Sequence, residues 1–134
     1  MTKLAEIEGI GPVYSAKLEQ AGITSVESLL STCCDKKGRK KHAQTLDISE
    51  KLLLSWVNRA DLARINGINT QYADLLEEAG VDTVPELAQR NADNLHAKMA
   101  EVNSAKKLVR QMPSLAQVQG WISQATELPR VMTY

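Results

Sequence analysis

Ile7 to Ile23 reads IEGIGPVYSAKLEQAGI, and 58 residues later Ile65 to Val81 reads INGINTQYADLLEEAGV. Eight of the 17 aligned positions are identical: Ile7/Ile65, Gly9/Gly67, Ile10/Ile68, Tyr14/Tyr72, Leu18/Leu76, Glu19/Glu77, Ala21/Ala79 and Gly22/Gly80. The match is ungapped and continues through Val26/Val84 and Leu29/Leu87. A match that keeps both glycines and the apolar positions in register is an internal duplication.

Each copy spells helix, tight turn, helix. Leu4 and Ile7, like Leu62 and Ile65, are three apart and share one face of a short first helix. Gly9 and Gly67 suit the turn, because a residue without Cβ enters conformations closed to others. Pro12 fits the first turn of the next helix, where its missing N–H is no loss. Tyr14, Leu18 and Ala21 then form an apolar stripe that Tyr72, Leu76 and Ala79 repeat. Gly22 and Gly80 sit where a left-handed residue ends such a helix. A short helix follows, with Thr83 and Glu86 at capping-box spacing and Thr24 and Ser25 competing for the cap in the first copy.

Further on, Ser49-EKLLLSWV corresponds to Ser114-LAQVQGWI at an offset of 65, so the second copy carries seven extra residues before its Trp helix. Ser49 and Ser114 are expected N-caps. Leu53, Trp56, Val57 and Ala60 make one buried stripe, and Val118, Trp121, Ile122 and Ala125 the other. Nothing in Lys51 to Ile65 breaks a helix, so one long helix is expected there.

Gly9-Ile10-Gly11 followed by a helix with small Ser15 resembles the helix-hairpin-helix motif. The extension Ala21-Gly22-Ile23-Thr24 is similar to the variant found in DNA repair and recombination proteins and in the C-terminal domain of the bacterial RNA polymerase α subunit. Through GRKKHAQ, ISEKLLLSWVNRADLARINGI and YADLLEEAGVDTVPELAQRN, the whole chain resembles an uncharacterised bacterial helix-hairpin-helix family known only as a domain of unknown function. The resemblance implies the fold and carries no established activity. We therefore expect an all-α protein of two pseudo-symmetric helix-hairpin-helix units packed, with additional helices, as one compact domain. The units would span about residues 1–62 and 63–128, with 129–134 as a C-terminal tail.

Composition agrees with an all-α class. Apolar residues make up 43% of the 134, but only 4% are aromatic and Phe is absent, so the core is aliphatic. Cys33 and Cys34 are adjacent and cannot form a disulfide framework. No apolar run approaches the ~18 residues that suggest a membrane span, and Met1 leads into polar sequence without a signal peptide. A cytoplasmic protein is expected.

Formal net charge is zero, yet the charge lies in blocks. Asp35 to Arg64 holds eight basic and four acidic residues, whereas Ile65 to Ala105 holds two basic and seven acidic. The dense basic run is Lys36, Lys37, Arg39, Lys40 and Lys41. Together with Lys17 and the backbone of Gly9, Ile10 and Gly11, which can form an anion nest at a helix start, it makes the candidate nucleic-acid site. Duplex DNA or another nucleic acid would be held through phosphate, with little base specificity. In the second copy Asn69 replaces the glycine, and Asp74, Glu77 and Glu78 flank it, so that hairpin is expected to be architectural.

A protein-interaction or self-associating module is the alternative. Its contact surface would be the acidic stretch Asp74 to Glu86 with Leu52, Leu54 and the tail residues Val131, Met132 and Tyr134. Helix-turn-helix spacing also runs through Ala43 to Trp56, but leucines stand where base-reading polar residues are needed. Cys33, Cys34 and His42 are too few for a structural zinc site. No catalytic motif stands out, so no enzyme and no cofactor are expected.

Overall fold

The computed structural model describes residues 3–7 and 9–133. Among them the chain is all-helical. A 3-10 turn at Leu4–Glu6 precedes α1 (Pro12–Gln20), α2 (Val26–Cys33), α3 (Lys36–Leu46), α4 (Glu50–Leu62), α5 (Thr70–Glu78), α6 (Val84–Ala88), α7 (Ala92–Lys106) and α8 (Leu115–Glu127). The chain forms two units. Unit one runs to Asp61 and takes in the C-terminal segment from Val131; unit two is Leu62–Arg130. Of the segment after α8, Pro129 and Arg130 thus go with unit two, and only the residues from Val131 go with unit one.

The duplicated residues perform duplicated tasks. Gly9 and Gly67 have φ of 93° and 96°. A Cβ at these positions would also lie 3.3 Å from Trp56 Nε1 and 3.0 Å from Trp121 Nε1. Each turn glycine is thus fixed twice, by a left-handed backbone and by the indole laid against it. Each hairpin helix closes alike, with Ile23 N–H donating to Leu18 O at 2.9 Å and Val81 N–H to Leu76 O at 2.8 Å. These are Schellman closures, with Gly22 and Gly80 supplying the left-handed residue.

Two expectations about the helix before each turn glycine change. In unit one it is only the 3-10 turn, and in unit two it is the end of α4, which stops at Leu62 rather than reaching Ile65. The cause is the same in both. Ile7 and Ile10 donate to Leu4 O and Ile7 O, and Ile65 and Ile68 donate to Leu62 O and Ile65 O. Two successive three-residue steps tighten the backbone into the glycine turn and leave no room for an α-helical continuation.

The caps divide. Ser25 wins over Thr24 and forms a full capping box with Ser28. Ser114 does so with Gln117, and Ser49 Oγ accepts from Leu52 N–H. Thr83 does not complete the expected box. Its side chain makes no cap bond, and Glu86 reaches past it to the amide of Asp82. Burial is not the cause, since Ser25 is as buried as Thr83 and caps α2. The difference is at the third helical residue, where Ser28 bonds the cap residue's own amide and Glu86 does not.

Each unit has its own aliphatic core around one tryptophan. In unit one Leu4, Ile7, Ile10, Leu18, Leu29 and Leu53 surround Trp56; in unit two Ile65, Ile68, Leu76, Leu87 and Val118 belong to the cluster of Trp121. Tyr14 of α1 and Tyr72 of α5 lean on the indoles, with ring centroids 5.2 Å apart for Tyr14–Trp56 and 5.4 Å for Tyr72–Trp121.

The join between α2 and α3 fixes the basic segment. Asp35 caps α3, accepting from Gly38 N–H at 2.7 Å. A Cβ on Gly38 would stand 2.5 Å from the Thr32 carbonyl oxygen and 2.8 Å from Asp35 Oδ1. Backbone cannot yield as a side chain tip does, so Gly38→Ala is expected to cost about 1–3 kcal/mol through overpacking. A lower urea midpoint would show it, and an unchanged midpoint would mean that α2 and α3 do not approach this closely.

Candidate nucleic-acid interface

Helix α3 sorts the basic run into two faces. Arg39, Ala43 and Leu46 fall at i, i+4 and i+7 and point inward, while Lys36, Lys37, Lys40 and Lys41 are exposed. Arg39 is only 5% exposed. Its Nη1 donates to the carbonyls of Cys33 at 3.2 Å and Cys34 at 3.0 Å, and its Nη2 to that of Thr133 at 2.7 Å. A guanidinium so committed is not offered to a phosphate. Arg39 leaves the candidate site, because it closes the C-terminal end of α2 and clasps the tail.

The four lysines have an unfavourable setting. Lys36 and Lys37 are the first two residues of α3, at the end where the helix dipole is positive, and its first turn holds no acid. Lys36/Lys40 and Lys37/Lys41 are also like-charge pairs at i, i+4. Sequence and helix disagree here on electrostatics.

At the other candidate element, Gly11 is the N-cap of α1 and has no side chain with which to cap it. Gly11 is exposed, and a Cβ there would meet nothing within 4 Å. The start of α1 is therefore open, and the amides of Val13 and Tyr14 have no intrahelical acceptor. Gly9 is exposed like Gly11, but Ile10 between them is buried, so it contributes backbone alone. In unit two the equivalent end is closed from within. Asn69 Oδ1 accepts from Tyr72 N–H at 2.8 Å, taking up one of the donors an anion would use.

Lys17 stands apart from the turn. It lies in the last turn of α1, with Nζ 5.8 Å from the Tyr14 ring centroid, and shares a surface depression with Thr45, Leu46 and Asp47. It is thus beside the C-terminal end of α3, whereas Lys36 and Lys37 begin that helix.

The family model described as Domain of unknown function (DUF4332) matches residues 8–128. The chain belongs to this family. No solved structure matches it.

The surfaces assigned to protein contact are partly used inside this DUF4332 chain. Leu52, Leu54 and Val131 are half-buried against the core of unit one, and Met132 is buried in it. Tyr134 lies outside the described residues. Among the acids, Glu78 pairs with Lys106 and Glu86 with Arg90. Asp82 is half-buried; burial raises its pKa, Glu86 raises it further and Arg90 draws it back.

No group of three or more His, Cys, Asp or Glu side chains suited to a metal occurs among the described residues. Cys33 ends α2 in the core, and Cys34, its C-cap, is half-buried rather than exposed. Burial pushes the Cys33 thiol up to about 11 against a partial lowering by Arg39. The thiolate is the reactive form, so native protein should consume a disulfide reagent such as Ellman's in two phases. Cys34 reacts first and Cys33 only on unfolding. Equal rates for both thiols would contradict this packing.

Proposed function

We propose that the two units are pseudo-symmetric helix-hairpin-helix elements and that the protein is a non-enzymatic module holding nucleic acid through phosphate, with little base specificity. The phosphate contacts would be Lys36, Lys37, Lys40 and Lys41, with the open turn Gly9-Ile10-Gly11 and Lys17 as further elements. Two free cysteines suit the reducing cytoplasm of a bacterial cell.

One observation carries this reading: four exposed lysines gathered at and near the positive end of α3. Asp35 supplies one carboxylate as the cap of that end, but a helix selected for stability alone would follow it with acids, not cations. Conflict between local rule and observed residue is expected where function sets the choice, and a bound phosphate would relieve it. The unequal hairpins add support, since the open glycine end lies in the same unit as the lysines and the self-capped asparagine end in the other. The protein-interaction alternative has less surface available, because its leucines and tail pack within unit one.

The test is fluorescence anisotropy of a labelled duplex across a salt series. Binding should weaken as salt rises, with a slope in log K of about 0.9 per phosphate neutralised. Replacing the four lysines by Gln should flatten that slope by up to about three to four at little cost in stability. No binding by the unaltered protein at low salt would end the nucleic-acid reading.

A further inference from the structure

We propose that unit two holds a phosphate of the nucleic-acid backbone in a cleft of its own, formed by Lys107, Arg110 and Gln111 against Asn69 and Gln71. The proposal rests on the nucleic-acid reading above but uses none of the residues assigned there. It also departs from the expectation that the second hairpin is only architecture.

The cleft lies between the start of α5 and the segment that follows α7. That segment is peculiar to unit two. Asp47 and Lys107 are equivalent left-handed residues ending α3 and α7, with φ of 55° and 53°. From Asp47 the chain reaches its next cap, Ser49, in two residues; from Lys107 it reaches Ser114 in seven. Most of the seven-residue difference between the repeats is therefore this loop, and the loop carries Arg110.

The loop is held rather than loose. Asn103 clasps it from α7, with Nδ2 donating to Val109 O at 3.2 Å and Oδ1 accepting from Val109 N–H at 3.0 Å. Tyr72 Oη donates to Gln111 O at 3.1 Å, and a ring nitrogen of His96 lies 3.0 Å from Pro113 O. Val109 and Pro113 are buried, while Lys107, Arg110 and Gln111 are exposed. Two cations are thus presented from a backbone pinned at each end, which lowers the entropy lost on capture of a ligand. Lys107 also keeps a left-handed backbone that glycine would adopt more easily.

Charge selects the ligand class. None of the described residues lining the cleft is acidic. Lys106 is taken by Glu78, but neither Lys107 nor Arg110 has an ion-pair partner among the described residues. Asn69 caps α5 itself, so the anion affinity resides in the two cations and not in the helix end. Gln71 and Gln111 add neutral donors. An Arg fork and a Lys point charge with amide donors suit the oxygens of a phosphodiester.

The experiment is the same labelled-duplex titration with Lys107→Gln/Arg110→Gln, beside Lys98→Gln/Arg130→Gln as a control removing equal charge from exposed sites of unit two. The cleft variant should flatten the salt slope by nearly two, at about 0.9 per contact, and the control should leave it unchanged. Circular dichroism checks that both variants fold. Equal flattening by both variants would reduce the effect to bulk charge and overturn the cleft. An unchanged slope in the cleft variant, with the α3 lysine variant still flattened, would overturn the cleft alone. Absence of binding by the unaltered protein would overturn the cleft together with the reading on which it rests.

Discussion

Trp56→Ala is expected to cost about 3–5 kcal/mol, the range for truncating a large buried aromatic. Trp56 is 1% exposed and meets Tyr14 edge to face. It also lies against the turn at Gly9, so its loss empties the core and removes the support of that turn together. The indole N–H has no acceptor among the described residues. Trp56→Phe removes that unpaired donor while filling most of the space, and should cost clearly less than Trp56→Ala. For a unit of this size the Ala variant should lower Tm by roughly 12–40 °C, at about 4–8 °C per kcal/mol. Trp121 is then the sole tryptophan, and its fluorescence follows unit two separately. A Tm shift of a few degrees would show that Trp56 does not organise the first core.

Arg39→Ala is expected to cost on the order of 3 kcal/mol, since hydrogen bonds to a charged donor contribute about 1.5–3 kcal/mol and stranded carbonyls add a desolvation cost. The three carbonyls it serves belong to the end of α2 and to the tail. Arg39→Lys should rescue little, because one ammonium cannot serve both arms of the guanidinium. The pair separates a structural arginine from a phosphate contact. A phosphate contact would tolerate Lys with little loss of stability. The structural role requires both variants to lower the urea midpoint and to speed proteolysis of the segment around Thr133. Full stability in Arg39→Lys would return Arg39 to the surface set.

What could be read from the sequence was local. The turn glycines, the Schellman glycines and the serine caps depend on a residue and neighbours within five positions, so spacing alone located them. Thr83 failed because the long Glu86 side chain bonds the amide of Asp82 instead of that of Thr83, a choice that a capping pattern does not contain. Arg39 failed for a related reason. Five cations in six residues look like one charged surface, yet Ala43 and Leu46, four and seven residues on, mark the inward face of the same helix. Anchoring the helical period on those two residues would have turned Arg39 inward. The clasp on Thr133 spans 94 residues and left no periodic trace. Nor did the cleft beside α5, whose cations are almost forty residues from the hairpin they approach.

The docking of Met132 in unit one has a consequence for biosynthesis. The ribosome delivers the first 61 residues early, but the thiol-rich end of α2 receives its final partner only when Thr133 emerges. At roughly 5–20 residues per second, translation separates these events by several seconds. Unit two, continuous from Leu62 to Arg130, can close without waiting for the tail. Unit one therefore begins before unit two and is completed after it, and in that interval the nascent chain keeps an unfinished apolar seam open to chaperones and proteases.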